Sequence, residues 1–219
     1  MARKEYILLL KTIEEEGVLV MAFSFVNTAL LIIDVQQGFD DALWGRRNNP
    51  LAEAHIVRLL AAWREQQWPI IHVQHQSRFA SSPLHPTNPG YDLKVQVQPL
   101  PGETLITKQV NSAFIGTSLE TLLRQRHITT LVVTGLTTNH CVETTVRMAG
   151  NLGFLTYLVS DATATFDRMG PDGRLHRAED IHTISLTSIH GEFAQVVMTD
   201  EVLEEIQTIQ GKSKGTEPR

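Results

Sequence analysis

A chain of 219 residues is the size of one large α/β domain rather than two small ones. A hydrophobic fraction of 42% and a charged fraction of 20% are those of a soluble globular protein that buries a core without disulfides or a structural metal. A formal charge of −5, with an isoelectric point near 6.0, speaks against a nucleic-acid partner, because phosphate binding shows as a basic surplus. The single cysteine excludes an intramolecular disulfide, and no apolar run approaches the roughly 18 residues needed to cross a bilayer, so a cytoplasmic protein without membrane contact is expected.

Residues 1–24 read as an N-terminal extension. The run Tyr6–Leu10 is too short for a signal-peptide core, and Glu14, Glu15 and Glu16 follow it closely. Either a short added helix or a start placed ahead of the native one fits this stretch, since the ordered pattern opens only after Met21. The domain itself is read over 25–210. Its first strand is TALLIIDV, Thr28 to Val35, a continuous apolar run suited to a parallel sheet covered on both faces. LAEAHIVRLLAAWREQQ, between Pro50 and Pro69, has helical spacing, and PIIHVQH reads as a second strand. Residues 76–102 carry five prolines and little periodicity, which predicts a long loop.

A third strand, ETLITK, leads through NSAFIG into the helix TSLETLLRQR. The fourth, ITTLVVTG, is followed by a turn and the helix CVETTVRMAGNLG, and FLTYLVSDA is the fifth. After a loop around Met169–Gly173 come the helix HRAEDIHTISLTSIH, the sixth strand AQVVMTD, the closing helix EVLEEIQTI and a polar tail over 211–219. Alternating strands and helices predict a three-layer α/β/α, Rossmann-like domain with a six-stranded, mainly parallel sheet.

Such sheets bind ligands beyond the carboxyl ends of their strands, so the chemistry should follow each apolar run. That rule brings together Asp34 after the first strand, Lys108 after the third and Cys141 in the turn after the fourth. A thiol becomes a nucleophile as thiolate, and a helix N-terminus or a neighbouring cation lowers its pKa; Cys141 has the first condition if a helix starts near Asn139, and Lys108 offers the second. Asp34 can move the proton between thiol, leaving group and water, and backbone amides from Thr137 to Cys141 can donate to a developing oxyanion.

ALLIIDVQQGF, TLITKQVNSAF and LVVTGLTTNHCVETTVRMA, in that order and with SIHGEFAQV behind them, resemble the active-site segments of the isochorismatase-like cysteine hydrolases. The resemblance runs from about Thr28 to about Ile206. It implies Asp34, Lys108 and Cys141 as the catalytic aspartate, lysine and cysteine, and a cis peptide at Leu136–Thr137. It also implies a homo-oligomer, dimeric or tetrameric. The metal-binding nicotinamidase branch carries an Asp-x-His pair where this chain reads HVQHQSRFASSPLHP, so neither a metal nor another cofactor is expected.

Each residue also has a plainer reading. A lone cysteine is usually a small buried hydrophobe, Asp34 alone a loop carboxylate and Lys108 alone a strand-end charge; only the set points to catalysis. His72 and His75, three apart on one strand, face opposite sides and read as polar packing or pocket lining. Phe39, Trp44 and Phe114 are candidate walls of a substrate pocket, Asn111, Thr138 and His140 candidate substrate contacts, and Gln36 a supporting residue. The expectation is a hydrolase that cleaves a C–N bond of a small amide or carbamoyl compound through a thioester. Two rivals stand beside it: an isochorismate-type vinyl ether hydrolase, whose dianionic substrate would want Arg46, Arg47 or Arg78, and a thiol redox sensor without catalysis.

Overall fold

The computed structural model describes residues 12–15, 18–21, 25 and 27–214. Strands β1 (Thr12–Glu15) and β2 (Val18–Met21) pair antiparallel, so the described part of the extension is strand and not the added helix that was one of its two readings. The rest of the extension lies outside the described residues.

The central sheet is built from β3 (Thr28–Ile33), β4 (Ile70–His75), β5 (Thr104–Lys108), β6 (Thr130–Leu136), β7 (Leu155–Ala164) and β10 (Gln195–Val197). All neighbours run parallel in the order β10-β7-β6-β3-β4-β5. Between β7 and β10 the loop expected around Met169 carries a small exposed hairpin, β8 (Arg168–Met169) and β9 (Leu175–His176). From β3 the chain winds outward through β4 and β5, then returns to pair β6 on the other side of β3. The strand order therefore reverses between β3 and β6, and a crevice forms beyond their carboxyl ends.

Helices α1 (Ala52–Glu65) and α5 (Thr199–Lys214) cover one face, while α2 (Leu119–Gln125), α3 (Glu143–Asn151) and α4 (Ala178–Ile189) cover the other. The alternation along β3 divides the core. Ala29, Leu31 and Ile33 pack with Leu119, Leu123, Val146 and Ile189, whereas Leu30 and Ile32 pack with Ile56, Leu60, Trp63 and Ile206. A strand with apolar residues on both faces reads as an unbroken apolar run, which is why the period-2 pattern of half-exposed strands is missing here. Helix α5 continues to Lys214, four residues into the stretch read as a polar tail.

Gly135 closes the gap between β6 and β3. Its φ is +120°, and a Cβ there would stand 2.0 Å from the Ile33 carbonyl oxygen, so no residue with a side chain fits without moving one of the two central strands. Directly after it, the Leu136–Thr137 peptide is cis, as the resemblance implied.

Candidate active site

Asp34 is the first residue beyond β3. Its backbone takes a left-handed conformation, φ +52°, which Asp tolerates better than most residues, and its amide still donates to Val73 O (2.8 Å). The turn swings the carboxylate to the crevice. Lys108 ends β5 two strands away and reaches over β4, so its Nζ donates to Asp34 Oδ2 at 2.6 Å with both side chains fully buried. Burial opposes the Lys108 charge, but Asp34 and Cys141 more than offset it and hold the ammonium above its ordinary pKa.

Cys141 lies in a π-helical turn, Thr138–Val142, that carries the chain from β6 into α3. It is buried, and its Sγ points to Asn111 Oδ1 at 3.8 Å. Burial and the Asp34 carboxylate push the thiol well above its ordinary range, and Lys108 offsets this only in part. These surroundings favour the neutral thiol over the low-pKa thiolate expected from the helix start. Asp34 Oδ1, by contrast, is buried with no hydrogen-bond partner among the described residues, a proton acceptor kept open beside the lysine-bound Oδ2.

His75 completes the cluster. Its Nδ1 lies 3.2 Å from Lys108 Nζ, and an ammonium has only protons to offer, so Nδ1 accepts. Burial and then the lysine charge lower its pKa, keeping the ring neutral. A ring nitrogen of His75, an oxygen of Asp34 and Cys141 Sγ lie within 4.8 Å of one another, a donor set that could suit a soft metal. The Lys108 ammonium, hydrogen-bonded to Asp34 and His75 and interacting with Cys141, already supplies a cation to all three. Gln36, fully buried, fixes the His75 peptide from both sides. Its Oε1 accepts from His75 N (2.9 Å) and its Nε2 donates to His75 O (3.0 Å) and Tyr91 O (2.7 Å).

The turn amides divide. His140 N and Val142 N both donate to Thr137 O, at 3.1 and 3.3 Å, so these two amides are engaged within the turn. His140 is half-buried, its pKa lowered by burial and by Arg168.

The expected pocket residues separate into contacts and packing. Asn111 meets the nucleophile candidate. Thr138 does not: it is fully buried, and its Oγ1 pairs with His182 Nδ1 at 2.9 Å behind the turn. Phe114 stacks on the buried Phe154 at 5.9 Å in the core beneath Cys141, so its ring packs where a pocket wall was expected. Phe39 and Trp44 form an aromatic stack with Phe166 over Leu136 and Ala164, which buttresses the cis-peptide side of the crevice. His75, Gly135, Gln36 and His182 contribute more than the sequence suggested. For His75 the signal was present, because it ends a parallel strand at the same edge as Asp34.

Of the three loop arginines, Arg46 is tied to Asp167 and Glu179, and Arg47 to Glu53. Arg78 has no ion-pair partner among the described residues and lines a cleft of about 290 Å³ with Gln76, Gln109, Ile115 and Lys108.

A doubly wound parallel sheet with a buried thiol, ammonium and carboxylate at its switch point is an α/β protein whose site has the groups for nucleophilic chemistry. The Isochorismatase domain profile matches residues 28–201, and the chain belongs to the isochorismatase family of hydrolases. It is 51% identical over 175 residues to the isochorismatase family protein YrdC of Bacillus subtilis, covering 80% of this chain and 94% of that one. A crystal structure of an isochorismatase-family protein from Chromobacterium violaceum superposes with a TM-score of 0.82 at 45% identity, over 84% of this chain and 96% of the other. Over a shorter span of 82 residues the chain is 38% identical to the ureidoacrylate amidohydrolase RutB of Agrobacterium fabrum, covering 37% of this chain and 35% of that one.

Proposed function

We propose that the protein hydrolyses a C–N bond of a small amide or carbamoyl compound, with Cys141 as nucleophile. The observation that carries this is geometric: the buried Cys141 thiol lies within 4.8 Å of an Asp34 carboxylate oxygen, and that carboxylate is held by Lys108 through Oδ2 while Oδ1 has no hydrogen-bond partner among the described residues. Asp34 takes the thiol proton as Cys141 Sγ adds to the amide carbon, while the Thr137 and Cys141 amides hold the oxyanion. Collapse breaks the C–N bond and the leaving amine takes the proton from Asp34. Water then adds to the thioester, again giving its proton to Asp34, and the departing sulfur recovers that proton. Lys108 holds the Asp34 carboxylate through its short hydrogen bond and neutralises the sulfur as it becomes anionic.

Three further observations support the reading. An amide needs a nucleophile, whereas vinyl ether hydrolysis does not, and the thiol lies within the cluster. A dianionic substrate would want several open cations, yet of the three loop arginines Arg46 and Arg47 are engaged elsewhere and only Arg78 has no ion-pair partner among the described residues. A redox sensor works through an accessible low-pKa thiol, and this one is buried with a raised pKa. The amidohydrolase relative points the same way.

Ammonia release from a panel of small amides (nicotinamide, biuret, ureidoacrylate, oxamate and simple acyl amides) tests the proposal. We expect turnover of at least one, lost by at least about a thousandfold in Cys141→Ala. Equal turnover in the variant would remove the nucleophile from the scheme, and silence across the panel with cleavage of isochorismate would favour the ether hydrolase.

A further inference from the structure

An ammonium carries three protons and needs three acceptors when it is buried. For Lys108 the structure supplies Asp34 Oδ2 at 2.6 Å, the Cys141 sulfur, and His75 Nδ1 at 3.2 Å. The first two are the groups whose charge changes during the proposed reaction. Only the third stays constant, provided the imidazole is neutral with Nδ1 unprotonated. Contact with the ammonium enforces that tautomer, and the two Gln36 hydrogen bonds fix the peptide that carries the ring. We infer that His75 is a positioning residue of this active site: its Nδ1 lone pair anchors the Lys108 ammonium between Asp34 and Cys141 while the proton moves between those two. The inference rests on the proposed cysteine chemistry, but it concerns a hydrogen bond that can be probed without a substrate.

Without the anchor, the ammonium would follow whichever neighbour is negative at each step, and its third proton would be left unpaired in a buried site. The ring's Nδ1 is at the same number of bonds from Cα as the amide oxygen of Asn, whereas Gln reaches the Nε2 position. His75→Asn therefore restores an acceptor facing Lys108, while His75→Gln and His75→Leu do not.

Cys141 is the chain's one cysteine, so alkylation by iodoacetamide reports on it alone. At pH 7, with folding checked by circular dichroism, we expect the alkylation rate constant to fall roughly tenfold or more in His75→Leu and His75→Gln, and to recover to within about threefold of wild type in His75→Asn. On an amide the chain turns over, kcat should follow the same order with KM little changed. The upper limb of the pH profile, where Lys108 loses its proton, should move to lower pH in His75→Leu and return in His75→Asn. Asp34 and Cys141 face the amine equally in every variant, so that shift would belong to His75.

An unchanged alkylation rate in His75→Leu overturns the inference, as does an equal loss in His75→Asn and His75→Gln, which would mean that only the ring's bulk matters. If His75→Leu does not fold, the Asn–Gln comparison decides alone. A His75-dependent thiol in a protein that hydrolyses no amide would sink the proposed reaction and leave the anchor standing.

Discussion

His72 and His75 are three residues apart on β4 and live in different chemistry. His72 is buried inside the sheet layer; its Nε2 pairs with Glu103 Oε2 at 2.8 Å, and Glu103 in turn takes both Arg64 Nε (2.7 Å) and Arg64 Nη2 (3.0 Å). Nothing in that trio faces the crevice, and it ties α1 to the start of β5. His75, at the strand's carboxyl end and on its other face, touches the ammonium that holds Asp34 and Cys141. The same residue type is packing in one place and part of a reaction centre three positions on. Strand parity assigns the face, and the strand end assigns the chemistry.

That contrast can be broken by removing one charge from each network. The larger effect is expected at the crevice. Lys108→Met leaves the Asp34 carboxylate buried and unpaired, and chemical denaturation should show a loss of about 3–5 kcal/mol together with loss of turnover. Glu103→Gln keeps shape while weakening the bonds to Arg64 and His72; a loss of about 1–2 kcal/mol with kcat within about twofold of wild type is expected. If Glu103→Gln cost as much activity as Lys108→Met, the division between the two networks would be wrong.

A smaller effect lies in the acid range. Burial raises the Glu103 pKa, but Arg64, the Leu100 amide and His72 together hold it down from 4.5 to about 2. A depressed carboxylate stabilises the fold above its unfolded pKa, and that contribution fades as pH falls from about 4.5 toward 2. Unfolding free energy measured across that window should fall less steeply in Glu103→Gln than in wild type. Parallel slopes would mean that the carboxylate is not held as described.

Much of this was legible in the sequence because parallel strands write themselves as apolar runs. TALLII, LVVTGL and LTYLVS each became a buried strand, and the strand-end rule chose Asp34, Lys108 and Cys141, which the fold brings into one cluster. The failures have a common physical origin in contacts across long sequence separations. Thr138 points back to His182, 44 residues away, and not into the crevice. Phe114 finds Phe154 in the core. The thiol pKa depends on how burial and Asp34 outweigh Lys108, a balance that no motif encodes. No helix among the described residues is long and apolar enough to cross a membrane.

The cysteine nucleophile is tested most directly by intact-mass analysis of the protein quenched in acid during turnover of an amide from the panel. We expect an acyl adduct on the peptide that contains Cys141, released by hydroxylamine and absent from Cys141→Ala. Steady turnover with no adduct at any quench time, undiminished in Cys141→Ala, would contradict it.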